Sequence, residues 1–149
     1  MSKWHSRFFS LAQTVSDWSK DPSKKVGAVI VRPDKTISSV GYNGFPRGIR
    51  DSPKLLNNKE LKNQLIIHAE ANALLNSKDD SNVGHTLYCT TFCCCNCAGL
   101  LIQKGIKHIV VPELDPHSSW YTNFLSSRNV LHEVGVRIDY INPVTYQLQ

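Results

Sequence analysis

The chain has 149 residues, about the length of one domain and enough to bury a hydrophobic core without help from disulfides. Its 17 basic and 12 acidic residues give a formal net charge of +5, which favours anionic partners without choosing among nucleic acid, nucleotide phosphate and simple solubility. No run of about 18 apolar residues is present and the N-terminus lacks a secretory pattern, so we expect neither a membrane span nor an export signal.

The first part of the chain predicts a helix and a β-hairpin. Apolar residues recur at helical spacing from Phe8 to Trp18 and predict an amphipathic helix that ends near Asp21 and Pro22. The β-branched run at residues 26–31 and a shorter run at 37–40 flank a turn that contains proline and aspartate. This pattern is typical of two hairpin strands.

The middle of the chain predicts irregular segments and one helix. The glycine-rich stretch 41–48 is expected to leave the second strand as an irregular loop. The polar stretch 50–63 indicates a loop or a short helix, with two lysines that point to solvent. From about His68, small apolar residues up to Leu75 predict a helix that can pack closely on a sheet.

The second half of the chain alternates strands with helices. The predicted elements are a strand at 86–90, a helix from Cys94 to Lys104 with a cap at Gly105, a strand at 106–111, a helix at about 122–133 and a strand at 136–141. Such crossovers imply a sheet that is largely parallel in this half, with helices on both faces. No repeat or linker interrupts the chain, so we predict one α/β domain over residues 1–149.

The most informative motif is a histidine and a glutamate that precede a pair of cysteines. His68-Ala69-Glu70 stands 24 positions (94 minus 70) before Cys94-x-x-Cys97. One imidazole and two thiolates supply three zinc ligands and leave one tetrahedral position open, as in catalytic zinc sites. We interpret Glu70 as the proton carrier for a zinc-bound water. Together these residues match the zinc deaminase signature H-x-E…P-C-x-x-C.

The five cysteines all lie between positions 89 and 97. This clustering favours metal binding in a reducing, cytoplasmic compartment over a disulfide framework. Two alternatives stay open for the motif. One is a redox dithiol of the thioredoxin kind, and the other is a closed structural zinc site with Cys93, Cys95 or His85 as fourth ligand.

Three further stretches accompany the zinc motif: DPSKKVGA at 21–28, GYNGFPRG at 41–48 and GLLIQKGI at 99–106. With it they resemble the cytidine deaminase superfamily and, within it, the deoxycytidylate (dCMP) deaminases, from about Leu11 to Ile141. The zinc motif alone would identify only the superfamily, and the glycine-rich stretch is the specific part. Viral relatives of this size are familiar, which is consistent with a bacteriophage origin and a host cytoplasmic location.

The resemblance implies a fold, a reaction and an assembly. The fold would be a three-layer α/β/α sandwich with a mixed five-stranded sheet and helices on both faces. The reaction would be the hydrolysis of dCMP to dUMP and ammonia, which supplies dUMP for dTTP synthesis. The assembly would be a homohexamer that dCTP activates and dTTP inhibits, with Mg²⁺ accompanying the nucleotide effector.

The resemblance also implies roles for individual residues. Zinc would bind His68, Cys94 and Cys97, and Glu70 would carry protons. Asn43 would hydrogen-bond the sugar hydroxyl, the backbone of Ala69 would contact the pyrimidine, and the effector loop would contain Gly44, Phe45 and Pro46. The family has proline before the first zinc cysteine, where this chain has Cys93. We still expect zinc to select Cys94 and Cys97, because a slip of one residue on a helix turns the thiolate by about 100°.

Recognition of the phosphate and the base is less constrained by the sequence. Candidates for the phosphate are the basic residues that flank the two motif loops, although such a residue taken alone is more often an ordinary surface charge: Lys24, Lys25, Arg47 and Arg50. Trp120 and Tyr121 follow a predicted strand and could cover the pyrimidine or cap the hydrophobic core.

Two other functions compete with a nucleotide deaminase. A deaminase of tRNA or single-stranded DNA would use the same zinc chemistry, but the sequence has no dense basic run and no aromatic residues interleaved with Arg or Lys. We therefore expect no nucleic-acid partner. The third hypothesis is a non-catalytic module that zinc stabilises. We do not favour it, because a purely structural zinc site would give Glu70 no role.

Overall fold

The computed structural model describes residues 3–149, and its helices and strands alternate along most of the chain. No helix within these residues has both the length and the apolar character that crossing a membrane requires. The elements are α1 Lys3–Ser16, β1 Gly27–Val31, β2 Ile37–Tyr42, α2 Pro53–Leu56, α3 Lys59–Leu65, α4 Ala69–Asn76, β3 Thr86–Cys89, α5 Cys95–Gln103, β4 His108–Val111, α6 Tyr121–Glu133 and β5 Arg137–Tyr140.

The five strands form one mixed sheet in the order β2-β1-β3-β4-β5. β1 is antiparallel to both β2 and β3, whereas β3, β4 and β5 are parallel to one another. The prediction of a hairpin followed by a parallel half is therefore confirmed. Every residue of β1 is buried, as expected for a central strand with both faces covered.

Helices pack on both faces of this sheet. On one face, Phe9 of α1 belongs to a hydrophobic cluster with Val29 and Val110. On the other face, Ala73, Leu101 and Leu131 of α4, α5 and α6 form a second cluster with the sheet residues Ala28, Ile30 and Ile109. Alternate residues of β1 thus point into different clusters, because successive side chains of a strand face opposite sides. The predicted three-layer α/β/α sandwich is confirmed.

The first helix and its end differ from the prediction. α1 begins at Lys3 and ends at Ser16, before Asp21, and Trp18 lies beyond it with about half of its surface exposed (53%). Trp18 contacts the ring of Tyr42 edge-on instead of entering the core, with ring centroids 6.1 Å apart. The prediction that the helix includes Trp18 and ends near Asp21 was therefore wrong.

The second strand is longer than predicted, and a glycine explains its extension. Gly41 and Tyr42 belong to β2, although the glycine-rich stretch was expected to be loop from residue 41. A Cβ on Gly41 would stand 2.6 Å from the carbonyl oxygen of Ala69 and would also collide with the backbone of Ala73. Glycine is present here because the backbone of α4 lies directly against the strand.

The polar stretch after the hairpin forms two short helices, α2 and α3. Ser52 and Asn58 cap them by accepting hydrogen bonds from backbone N–H groups at 3.2 Å. Of the three lysines in this stretch, Lys54 and Lys59 are exposed. Lys62, in contrast, is buried, because its ammonium pairs with Asp21.

Two histidines lie close together on the α1 side of the sheet. His5 Nδ1 is 2.9 Å from the hydroxyl of Tyr88, and His108 Nε2 is 2.7 Å from the carboxylate of Asp139. Burial lowers the pKa of both imidazoles below the ordinary value of 6.5. The charge of His108 also lowers the pKa of His5, and the other charged groups that act on the two histidines are Asp139, Lys35 and Arg137.

The lowered pKa values predict a loss of folding stability in mild acid. As the pH falls, the two histidines bind protons in the unfolded chain before they do so in the folded chain. The stability that the neutral histidines contribute is therefore fully present above pH 6.5, and it declines as the pH falls through their folded-state pKa values. We expect the urea midpoint to fall between about pH 7.5 and about pH 5.5, and to fall less in His108→Gln. His132→Gln, which alters an exposed histidine of α6, should behave as wild type. An unchanged pH dependence in His108→Gln would contradict the assignment.

Candidate metal centre and active site

Two helix starts bring the motif residues together. His68 is the N-cap of α4 and has an extended backbone (φ −69°, ψ 156°), while Glu70 lies in the first turn of that helix. Cys94 is the N-cap of α5, and its sulfur accepts a hydrogen bond from the amide of Cys97 at 3.5 Å. A helix N-terminus presents unpaired N–H groups, which favour the thiolate form of cysteine.

The distances among the three side chains fit a tetrahedral metal ion. His68 Nδ1 lies 3.3 Å from Cys94 Sγ and 3.5 Å from Cys97 Sγ, and the three ligand atoms all lie within 4.8 Å of one another. Zinc bound at about 2.0 Å from nitrogen and about 2.3 Å from sulfur separates those atoms by about 3.5 Å. The cluster therefore has the dimensions and the ligand types of a zinc site.

The cluster also favours the ionisation state that a metal needs. A hydrogen bond from the Cys97 thiol, with a further contribution from His68, lowers the pKa of Cys94 to about 4. This lowering of the pKa favours the thiolate of Cys94, which is the form that binds metal, while the same hydrogen bond raises the pKa of Cys97.

The other candidate ligands point away from the cluster. Cys93 Sγ lies 3.6 Å from the hydroxyl of Ser127, and burial raises the pKa of this thiol to about 12. The Cys95 thiol donates to the carbonyl oxygen of Asn123 at 3.2 Å. His85 is engaged at 2.8 Å with the carboxylate of Asp79. These contacts direct Cys93 and Cys95 to α6 and His85 to the carboxylate of Asp79.

Glu70 lies beside the cluster but outside the set of converging ligand atoms. Its side chain is buried, with only 3% of the residue exposed. Burial raises the pKa of this carboxyl to about 7, so it can both accept and return a proton near neutral pH. A buried acid with this property next to a metal site is typical of an active site.

A cleft of about 760 Å³ opens beside these residues. It contacts His68, Glu70 and Cys94, and four of the residues predicted to bind substrate line it: Lys24, Asn43, Ala69 and Trp120. The Trp120 ring meets the His68 ring edge-on, with centroids 6.1 Å apart. Tyr121, in contrast, packs against the hydrophobic core, so only the first of these two aromatic residues borders the cleft.

Asn43 is held firmly by the loop that precedes β1. Its Oδ1 accepts from the amide of Val26 at 2.9 Å, and its Nδ2 donates to the carbonyl oxygen of Lys24 at 2.9 Å. Among the phosphate candidates, Lys24 borders the cleft, while Arg47 lies 3.3 Å from Asn76 on α4. Gly44 and Phe45 of the proposed effector loop line a separate cavity of about 130 Å³, and Pro46 follows them in the chain.

The cleft also contains polar residues that the sequence analysis did not single out for function, including Asp21, Ser23, Lys59 and Lys62. Asp21 and Ser23 belong to the DPSKKVGA stretch, which was noticed only as part of the resemblance. No periodicity marks Lys62, since α3 has only seven residues.

Comparison with known proteins agrees with the arrangement of the site. The family model for the cytidine and deoxycytidylate deaminase zinc-binding region matches residues 2–113. The chain belongs to this deaminase family. An uncharacterized deaminase from Aliivibrio fischeri, encoded in the luxG 3′ region, is 40% identical over 143 residues, which cover 95% of each protein. The chain is thus a deaminase of a zinc-binding family, as the resemblance implied.

Two relatives of the family have described substrates in their names. The mouse deoxycytidylate deaminase is 36% identical over 122 residues, which cover 78% of this chain and 68% of the mouse protein. The crystal structure of a dCMP deaminase from the cyanophage S-TIM5, in complex with dCMP and dUMP, superposes with a TM-score of 0.78. The two chains are 25% identical, and the match covers 95% of this chain and 99% of the other.

Proposed function

We propose that this chain is a deoxycytidylate deaminase that hydrolyses dCMP to dUMP and ammonia. The observation that carries the proposal is a three-ligand cluster of His68, Cys94 and Cys97 with the buried, uncoordinated carboxyl of Glu70 beside it in a cleft. The choice of dCMP is supported by the names of the mouse and cyanophage relatives and by the nucleotides in the cyanophage complex.

In the proposed mechanism, Glu70 moves the protons. When bound, zinc supplies a Lewis acid that makes water nucleophilic at neutral pH. Glu70 would take a proton from the attacking water and give it to the pyrimidine ring nitrogen. It would then move the second proton of that water, now on the hydroxyl bonded to the ring carbon, to the amino group, so that the carbon–nitrogen bond breaks, ammonia leaves and the ring carbonyl forms. Its pKa of about 7 suits both transfers, because the reaction moves a proton without consuming one. The backbone of Ala69 and the ring of Trp120 would orient the base.

Two exposed lysines at the cleft support an anionic substrate. A phosphate monoester carries about −1.5 to −2 charges at neutral pH. Lys24 and Lys59 border the cleft and are exposed, so both ammonium groups can approach that phosphate. The sugar would lie near Asn43, whose amide group already holds the neighbouring loop.

Regulation and assembly belong to the proposal through the family resemblance. The homohexamer, activation by dCTP, inhibition by dTTP and the accompanying Mg²⁺ are predictions. The cavity beside Gly44 and Phe45 is the place where we expect the effector loop to act. A cytoplasmic location likewise remains a prediction from the clustered cysteines, all five of which are free thiols.

A substrate panel tests the proposed reaction. Zinc-loaded protein is incubated separately with dCMP, dCTP, deoxycytidine and a short cytosine-containing single strand, and ammonia release is followed. We expect dCMP to have the highest kcat/KM, because only the nucleotide monophosphate combines a free base with a single phosphate. Turnover of the oligonucleotide without turnover of dCMP would instead identify a nucleic-acid deaminase.

A further inference from the structure

A buried ion pair borders the cleft and takes no part in the mechanism described above. Lys62 Nζ lies 2.8 Å from Asp21 Oδ1, and the side chains are only 2% and 7% exposed. Removing two charges from water costs about as much as their attraction returns, so a buried pair is a poor source of stability in itself. Its position in the wall of the cleft points to a role in shaping the site.

Asp21 uses the same carboxylate to fix the loop that leads into β1. Its Oδ1 accepts hydrogen bonds from the backbone amides of Ser23 at 2.8 Å and Lys24 at 3.3 Å. Its Oδ2 accepts a hydrogen bond from the side-chain nitrogen Nδ2 of Asn43 at 3.4 Å. The loop is therefore held through one carboxylate, and Lys62 holds that carboxylate in place.

Lys62 also determines which way the hydroxyl of Ser23 donates. Lys62 Nζ lies 2.8 Å from Ser23 Oγ. An ammonium group has three donors and no acceptor, so the Ser23 oxygen accepts from Lys62 and its own proton must point elsewhere. Ser23 is exposed and borders the cleft, so that proton is available to an acceptor bound there.

We propose that Lys62 is a positioning residue that fixes the Ser23 hydroxyl as a donor to the phosphate of the substrate, and so sets the preference for a nucleotide over a nucleoside. This inference rests on the proposed function, because it takes dCMP as the substrate. Lys24 and Lys59 border the same cleft and would add positive charge. A site built around such donors rejects a substrate that lacks the acceptor, because the donors then lose water without gaining a partner.

The proposal predicts a selective loss of dCMP binding in Lys62→Met. We expect the KM for dCMP to rise about tenfold or more, as for the loss of a hydrogen bond to a charged group, while the KM for deoxycytidine changes little. The kcat for dCMP should stay within about threefold of wild type, because Glu70 and the zinc ligands are untouched. Lys54→Met is the matched control, since this lysine is exposed on α2.

The readouts are steady-state kinetics with dCMP and deoxycytidine, zinc content and thermal unfolding of each variant. Ser23→Ala is the second variant, because it removes the hydroxyl and leaves the ion pair of Lys62 with Asp21 intact; it should also raise the KM for dCMP selectively. Equal losses on both substrates in Lys62→Met would overturn the proposal. If Lys62→Met fails to fold, an unchanged KM for dCMP in Ser23→Ala overturns it. Wild-type protein that turns over deoxycytidine as efficiently as dCMP would overturn the proposed function as well.

Discussion

Glu70→Gln is expected to keep its zinc and to lose about three orders of magnitude in kcat, within the range of about 10²–10⁴ that general acid–base catalysis contributes. The amide has the shape of the carboxyl but can neither accept the proton of the attacking water nor return it. Because His68, Cys94 and Cys97 are unchanged, zinc measured by atomic absorption should stay at about one ion per chain. Ammonia release from dCMP gives kcat.

Glu133→Gln serves as the control for this experiment. Glu133 is an exposed residue at the end of α6, and its replacement makes the same chemical change far from the motif in sequence. It should retain wild-type kcat and zinc content. If Glu70→Gln retains near-normal turnover, Glu70 is not the proton carrier. If this variant loses its zinc, Glu70 contributes to metal binding in a way that the geometry does not indicate.

Cys97→Ala is expected to lose its zinc and, with it, all measurable deaminase activity. With three protein ligands, the site has no spare donor, and the remaining imidazole and thiolate cannot hold the ion at low free zinc. Zinc content after dialysis against a weak chelator should fall from about one ion per chain to almost none. Release of the ion can be followed with a colorimetric zinc indicator, independently of activity.

Cys95→Ala is the matched control, because Cys95 lies between the two proposed ligands. Its thiol contacts the carbonyl oxygen of Asn123 on α6, so its removal should leave zinc content and turnover close to wild type. Loss of zinc from Cys95→Ala together with retention in Cys97→Ala would show that the metal uses a register shifted from Cys94 and Cys97. The pair of variants therefore tests the ligand assignment at single-residue precision.

The cluster of His68, Cys94 and Cys97 could be anticipated from the sequence because local rules determine most of it. Helix N-termini were predicted at both segments, and the C-x-x-C spacing places its first and last residues on one side of a helical turn. Cys93 precedes the N-cap Cys94 and lies outside the helix, so helical rotation does not determine the direction of its side chain. The partner of Cys93, Ser127 on α6, could not be predicted, because that contact depends on how two distant helices pack.

Features that depend on tertiary packing were missed. Lys62 occupies a polar stretch with nothing in its spacing to suggest burial, and its partner Asp21 lies 41 positions away in the chain. The amphipathic spacing of α1 extended to Trp18, yet the helix ends at Ser16 and the ring of Trp18 contacts β2. Periodicity gives the character of an element, whereas its end and its neighbours depend on the rest of the fold.

The basic residues proposed as phosphate ligands also differ in whether they reach the cleft. Lys24 and Arg47 both flank motif loops, but of these two residues only Lys24 borders the cleft. Arg47 lies instead near Asn76 at the end of α4. Proximity to a motif in the sequence therefore does not by itself identify the phosphate ligands.

The contact of Gly41 with α4 has a consequence for redesigning this protein. The backbone of β2 lies directly against the backbone of α4 at Gly41. Helix α4 begins after His68 and carries Glu70 in its first turn. We expect any side chain placed at position 41 to push β2 and α4 apart and so to disturb the proposed metal ligand and the proposed proton carrier together. Libraries intended to change specificity should instead vary the rim formed by Glu113, Asp115 and Ser118, which borders the cleft from a separate segment of the chain.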